Sequence, residues 1–279
     1  MNAVLVSILI ATAPAQPVEA AQERETVVRK LLSPDMFYYT TAKDELTPAD
    51  LPILYDILND LASYEAWGNT AMAIGFLGES DESYKAITAY VKRPQRFGEL
   101  DHYEEIHQST RSKLLMDKIS AIRWLPFLNN KSGTNTLRTI LSDKKFAESY
   151  LEDWIDEEIP SGFGDIRRAA MQLRAAAAAG LIFHDCQANL PAVQKQFEVL
   201  DRLYEEIPDP TEVEVSDDQM LQNGYTAMLQ SSLVEVFVIA EYINEHSVEQ
   251  YFAKSGSYEL RQDIRFRFSK MAYELGIYD

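Results

Sequence analysis

The chain has 279 residues, 46% of them hydrophobic, and carries 26 basic against 44 acidic side chains, a formal charge of −18. A field of that sign repels DNA, RNA and anionic membrane surfaces at long range, so no nucleic-acid partner is expected; basic partners, cations or plain solubility remain. Cys186 is the only cysteine, which excludes an internal disulfide and a cysteine cluster for zinc. The length allows one elongated domain or two compact ones.

At the N-terminus, Ala3 to Ala13 is an uncharged apolar run of signal-sequence length, too short for a bilayer that needs about 20 residues. Small residues offer cleavage after Ala15 or after Ala20, and the second is preferred. No Lys or Arg precedes the run, and a buried N-terminal helix is the alternative. The expectation is a signal peptide over 1–20 and an exported chain, periplasmic or secreted, over 21–279, with no stable membrane insertion once the signal is removed.

Val27, Val28, Leu31 and Leu32 predict a helix over 22–32 that ends at Ser33-Pro34. Thr47-Pro48-Ala49-Asp50 combines a cap residue, a proline at the first helical position and an acid at the third, a strong start for a helix carrying Leu51, Leu54, Ile57, Leu58 and Leu61. Ser63 is positioned to cap the next helix, with Trp67, Ala71, Ile74 and Leu77 three or four residues apart and Gly78 to end it. Ser80 or Asp81 then starts a partner helix bearing Tyr84, Ile87 and Val91. Two such helices cannot bury both apolar faces alone, so the pair needs neighbours.

A second copy follows. Ala71, Gly78 and Ile87 overlay Ala121, Leu128 and Leu137 at a constant offset of 50. Leu114 to Leu125 suits a helix bent or ended by Pro126, Asn129 to Thr134 a polar turn, and Leu137, Ile140 and Leu141 the partner helix. A third unit opens after Ser161-Gly162-Phe163-Gly164, with Asp165 capping an alanine-rich helix to Leu181 and Leu190-Pro191 opening its partner. Ile207-Pro208-Asp209-Pro210 and the acids after it mark a sub-boundary near 205–218. Met220 to Ile243 is apolar on nearly every side, the pattern of a buried central helix. Tyr258 to Leu275 is capped by Ser257, closed by Gly276, and holds Arg261, Arg265, Arg267 and Lys270 as the one basic patch.

Ser63 to Arg93, with Trp67, Ala71, Gly75, Leu77-Gly78, Ile87 and Val91, resembles a HEAT-type helical repeat, and the segments 110–142 and 165–203 resemble it more loosely. The resemblance implies an all-α, right-handed α-solenoid of antiparallel helix pairs, about ten to twelve helices in all. It also implies a concave groove for a protein or peptide, no inherited catalytic residue and no cofactor.

Several side-chain groups are of types that can carry chemistry. Asp101, His102, Glu105 and His107 are metal-ligand types, but His102 and His107 stand five apart, which does not place two imidazoles on one helical face. His184, Asp185 and Cys186 place a thiol beside an imidazole, yet sequence neighbours rarely form such a dyad and a helix end explains them equally. Gly162, Gly164, Asp165, Arg167 and Arg168 offer amides and cations to an anion without any phosphate-loop spacing. Glu148, Glu152, Asp153, Asp156, Glu157 and Glu158 lack the alternation and glycine of a calcium loop. The function expected is an exported, non-enzymatic scaffold that binds a protein or peptide. One alternative is an all-α binder of a small molecule or glycan built around Trp67, Trp124 and Trp154; the other is a hydrolase or lyase with convergent carboxylates.

Overall fold

The computed structural model describes residues 17–34, 37–93, 108–152, 154, 166–206 and 215–277. Helices α1 (Pro17–Leu32), α2 (Tyr39–Glu45), α3 (Leu51–Asn59), α4 (Trp67–Leu77) and α5 (Asp81–Lys92) form the first part. Then come α6 (Gln108–Ala121), α7 (Leu125–Leu128), α8 (Asn130–Ser142), α9 (Lys144–Ser149), α10 (Ile166–His184) and α11 (Cys186–Glu205). The chain ends in α12 (Asp217–Glu245), α13 (Val248–Ala253) and α14 (Tyr258–Glu274). No strand occurs among the described residues, so the fold is all-α. Short 3-10 helices join several of these elements at 48–50, 61–66 and 122–124. Among the described residues there are fourteen α-helices, more than the ten to twelve anticipated, because short turns of chain count separately.

Three tight turns set the pattern. Ser80 caps α5 by accepting the amides of Glu82 and Ser83, Asn129 caps α8 by accepting that of Ser132, and Asp185 caps α11 by accepting that of Ala188. The first two turns bind each other: Ser80 N–H donates to the Leu128 carbonyl at 3.1 Å, and Asn129 Nδ2 donates to Asp81 Oδ1 at 3.2 Å. Backbones approach closely beside them. A Cβ on Gly133 would lie 2.2 Å from the Leu125 backbone, and one on Gly180 2.5 Å from the Arg123 carbonyl oxygen. Such helix pairs come together because the glycine leaves room.

Helix α10 is central, touching α6, α7, α8, α9, α11 and α12, and its alanines and Gly180 are what permit so many neighbours. One apolar core runs from Val28 and Leu32 through Leu137, Leu181 and Leu233 to Ala272. A smaller cluster ties distant parts of the chain together. Phe252 of α13 lies with ring centroids 5.3 Å from Tyr39 of α2, 5.3 Å from Trp124 and 4.9 Å from Phe183. The buried Arg123 guanidinium sits over the Trp124 and Phe183 rings at 5.3 and 5.8 Å. Contact between α2 and α13 departs from a stack in which each unit meets only the next.

Some boundaries differ from expectation for physical reasons. Ser63 does not start a helix: Asp60 accepts the Ala62 amide and the Ser63 hydroxyl, a 3-10 turn follows, and α4 begins at Trp67. Pro126 sits inside α7, and the helix before it ends at Ala121, since a proline ring blocks the helical bond to the carbonyl four residues back. Helix α11 begins at Cys186, well before Pro191, because Asp185 supplies the cap. Asp50 accepts both the Thr47 amide and hydroxyl as the cap pattern requires, but the turn they close at 48–50 is a 3-10 turn and α3 begins only at Leu51. The Ser257 cap and the Gly276 stop of α14 are also found, with Gly276 at φ 67°.

Candidate functional site

A concavity lies along α12, between α11 and the C-terminal end of α14, apart from a larger hollow of about 820 Å³ between α1 and the 45–53 segment. Leu190 and Gln194 near the start of α11 share a hollow of about 700 Å³ with Ala240, Glu241 and Asn244 near the end of α12, and Met271, Glu274 and Leu275 close its far side. Asp201 and Tyr204 near the end of α11 share a second hollow, about 440 Å³, with Ala227 and Met228 near the start of α12, again bordered by Leu275. The two hollows meet at Leu275 and lie end to end as one shallow groove along the helices, with α11 and α12 contributing residues in opposite order.

The sequence builds this groove by spacing. On α11, Leu190, Gln194, Phe197, Glu198, Asp201 and Tyr204 recur at intervals of three or four and so share one side of the helix. Phe197 and Phe237 meet edge to face at 5.5 Å and form the apolar floor. Gln230 Nε2 donates to Asp201 Oδ1 at 2.9 Å, fixing α11 against α12. Tyr204, Met228 and Leu275 remain 49%, 42% and 44% exposed. Four carboxylates, Glu198, Asp201, Glu241 and Glu274, stand among the lining residues, and no basic side chain does.

The residues singled out earlier take other places. His102, Glu105 and His107, with Asp101, lie outside the described residues, as do Gly162, Gly164, Asp165, Asp153 and Asp156 to Glu158. Among the described residues no group of three or more His, Cys, Asp or Glu is placed to hold a metal ion. Asp185 is a helix cap, His184 packs edge-on against Phe127 at 5.3 Å, and the Cys186 thiol faces the Ala240 carbonyl at 3.9 Å. Burial, with help from the Asp185 charge, pushes the Cys186 thiol up, and burial lowers the His184 imidazole, so neither is activated as a nucleophile–base pair requires. Arg167 lies 3.6 Å from Asp218 and over the Tyr225 ring, Glu148 pairs with Lys144, and Glu152 is exposed.

Trp67, Trp124 and Trp154 are all core residues, and none lines the groove. Trp67 donates its indole N–H to the Ile57 and Asp60 carbonyls. Helix α12 is long and apolar enough to cross a bilayer, but half of that apolar window is buried against the rest of the protein. The sequence signal for the groove is faint: Leu190, Phe197 and Tyr204 stand seven apart, with Glu198 and Asp201 between the last two, the mark of a helix face that is apolar and, toward its C-terminal end, acidic. No family model, curated protein or solved structure matches the chain.

Proposed function

We propose that this protein is a non-enzymatic helical scaffold that binds a segment of another protein in the groove along α12. The observation that carries the reading is the exposure of Tyr204, Met228 and Leu275 where two hollows with polar rims meet. Exposed apolar surface of this kind, rimmed by polar groups, marks interaction sites. A channel between helices suits an amphipathic helix laid lengthwise. In this reading Phe197 and Phe237 receive its apolar side chains, and the rim carboxylates orient it.

The finer architecture is part of the proposal. Successive pairs α4/α5, α6 with α7 against α8, and α10/α11, each turned at a side-chain cap, are read as units of a HEAT-like right-handed solenoid. The Ser80 to Leu128 hydrogen bond between equivalent turns supports stacking of the first two units. The contact of Phe252 with Tyr39 then acts as a brace across the array.

Export belongs to the same proposal and rests on the apolar run before Pro14. Helix α1 runs from Pro17, so cleavage after Ala20 removes only its first turn and leaves Arg24 and Arg29 on their partners Asp50 and Asp60. N-terminal sequencing of the mature protein is expected to start at Ala21, or at Gln16, and retention of residues 1–15 would contradict export.

Site-specific photo-crosslinking in the producing cell tests the binding site. A photoreactive phenylalanine replacing Tyr204 is expected to trap a discrete protein adduct, whereas the same group replacing the exposed Lys145 on α9 traps none. Equal labelling at both positions, or none at 204, would contradict the assignment.

A further inference from the structure

Resting on the groove reading above, we infer that the occupant of the groove is a cationic amphipathic helix of another protein, about 18 residues long. Length comes from the channel. Its floor on α12 runs from Ala227 to Asn244, a rise of about 25 Å, which an 18-residue helix matches. Helical form follows from the walls: the groove lies between helices, and no strand edge is offered among the described residues for an extended chain to extend.

Sign of charge follows from the rim. Glu198 and Asp201 line one side, Glu241 follows on α12 and Glu274, 3.9 Å from Lys270, stands at the end of α14, all exposed and with no Lys or Arg among the lining residues. A helix with an apolar stripe places that stripe over Phe197 and Phe237, and Lys or Arg flanking the stripe then reaches carboxylates on both walls. The formal charge of −18 adds steering of such a partner from a distance and repels an acidic competitor. Exposed rim pairs contribute little each, so affinity comes mainly from the apolar stripe and selectivity from the rim.

The test is fluorescence anisotropy of the full chain with three labelled 18-residue helices that share one leucine stripe and carry Lys, Gln or Glu on their flanks. The Lys peptide is expected to bind at least tenfold more tightly than the Glu peptide, and to weaken as salt is raised. Replacing two rim acids together, Glu198→Gln with Glu241→Gln, is expected to weaken it about three- to tenfold. The same charge change elsewhere, Asp44→Asn with Glu82→Gln, is expected to leave it unchanged. Gln194→Trp, a change at an exposed position, fills the channel and is expected to abolish binding of all three.

Two failures are distinguishable. If the Gln or Glu peptide binds as well as the Lys peptide and Gln194→Trp blocks them, the groove stands and the cationic partner is overturned. If none binds and position 204 traps nothing, the groove reading itself fails. Loss of affinity in both double variants alike, or binding that survives Gln194→Trp, places the peptide elsewhere on an acidic surface and overturns the inference. So does a stable dimer in which the exposed Arg265, Phe266 and Lys270 of a second copy's α14 occupy the channel and exclude the peptide.

Discussion

The backbone N–H of Ser80 donates to the carbonyl of Leu128 at 3.1 Å, joining the turn of one helix pair to the turn of the next. Each turn also carries its own cap, so the same few residues end one helix, start another and hold the neighbouring pair. Ser80→Ala removes the acceptor for the Glu82 and Ser83 amides, and Asn129→Ala the acceptor for Ser132. Each is expected to cost about 1 kcal/mol in urea denaturation. Because Asn129 also donates to Asp81, the double variant is expected to cost less than the sum of the singles.

Glycine substitutions separate backbone clash from helix propensity. Gly133→Ala would put a methyl group 2.2 Å from the Leu125 backbone, which cannot step aside as a side chain could. A loss of about 2–4 kcal/mol is expected, outweighing the roughly 1 kcal/mol that alanine gains in a helix. Gly224 on α12 has nothing within 4 Å of the same position, so Gly224→Ala is expected to stabilise by about 0.5–1 kcal/mol. Thermal unfolding of the pair distinguishes the two effects.

Arg24 and Asp50 give the fold an acid-labile tie. Asp50, 2% exposed, receives Arg24 Nε at 2.8 Å and Nη2 at 2.7 Å together with the Thr47 amide. The Arg24 hydrogen bonds, opposed by burial and reinforced by Thr47, hold its carboxyl below the usual range. Stabilisation from a lowered carboxylate is complete above its unfolded value near 4 and is lost as pH falls through the folded value. Asp50→Asn is therefore expected to cost about 1–3 kcal/mol at pH 7 and to flatten the loss of stability between pH 4 and pH 2. Denaturation midpoints across that interval check it.

Lys118 gives a slope of the same sign in a higher pH window. Only 1% exposed, it donates to the Arg93 carbonyl and lies 5.8 Å from the ring centres of both Tyr90 and Trp154. Burial, then the nearby Arg93 charge, pushes its ammonium down to about 7. The unfolded chain holds that proton up to about pH 10, so stability is expected to rise between pH 7 and pH 10. Above that range the slope reverses, because burial keeps Tyr90 and Tyr150 neutral in the fold while they ionise when unfolded. Lys118→Met is expected to remove the rise between pH 7 and pH 10 and to be more stable than the parent at pH 6, as read from thermal unfolding.

Local signals carried most of what could be read before the fold was seen. Thr47, Ser80, Ser257 and Gly276 act where their types act in any helix, since a cap depends on residues three positions away. Mistakes arose where two local signals competed. Pro191 resembles a helix start, yet Asp185 caps first, and Ser63 resembles a cap, yet its hydroxyl is spent on Asp60. The groove needed α11, α12 and α14 to be brought together, and nothing within one helix announces which of its faces a distant helix will leave bare. Phe252 meeting Tyr39 illustrates the same limit, because more than 200 residues separate them.

Amide hydrogen exchange with the segment trapped at position 204 tests the central claim most directly. Adding a synthetic copy of that segment is expected to slow exchange in α11 from Leu190 and in α12 from Ala227 to Asn244, leaving α3 to α5 unchanged. Protection confined to α3 to α5, or none in α11 and α12 at saturation, would contradict a binding groove along α12.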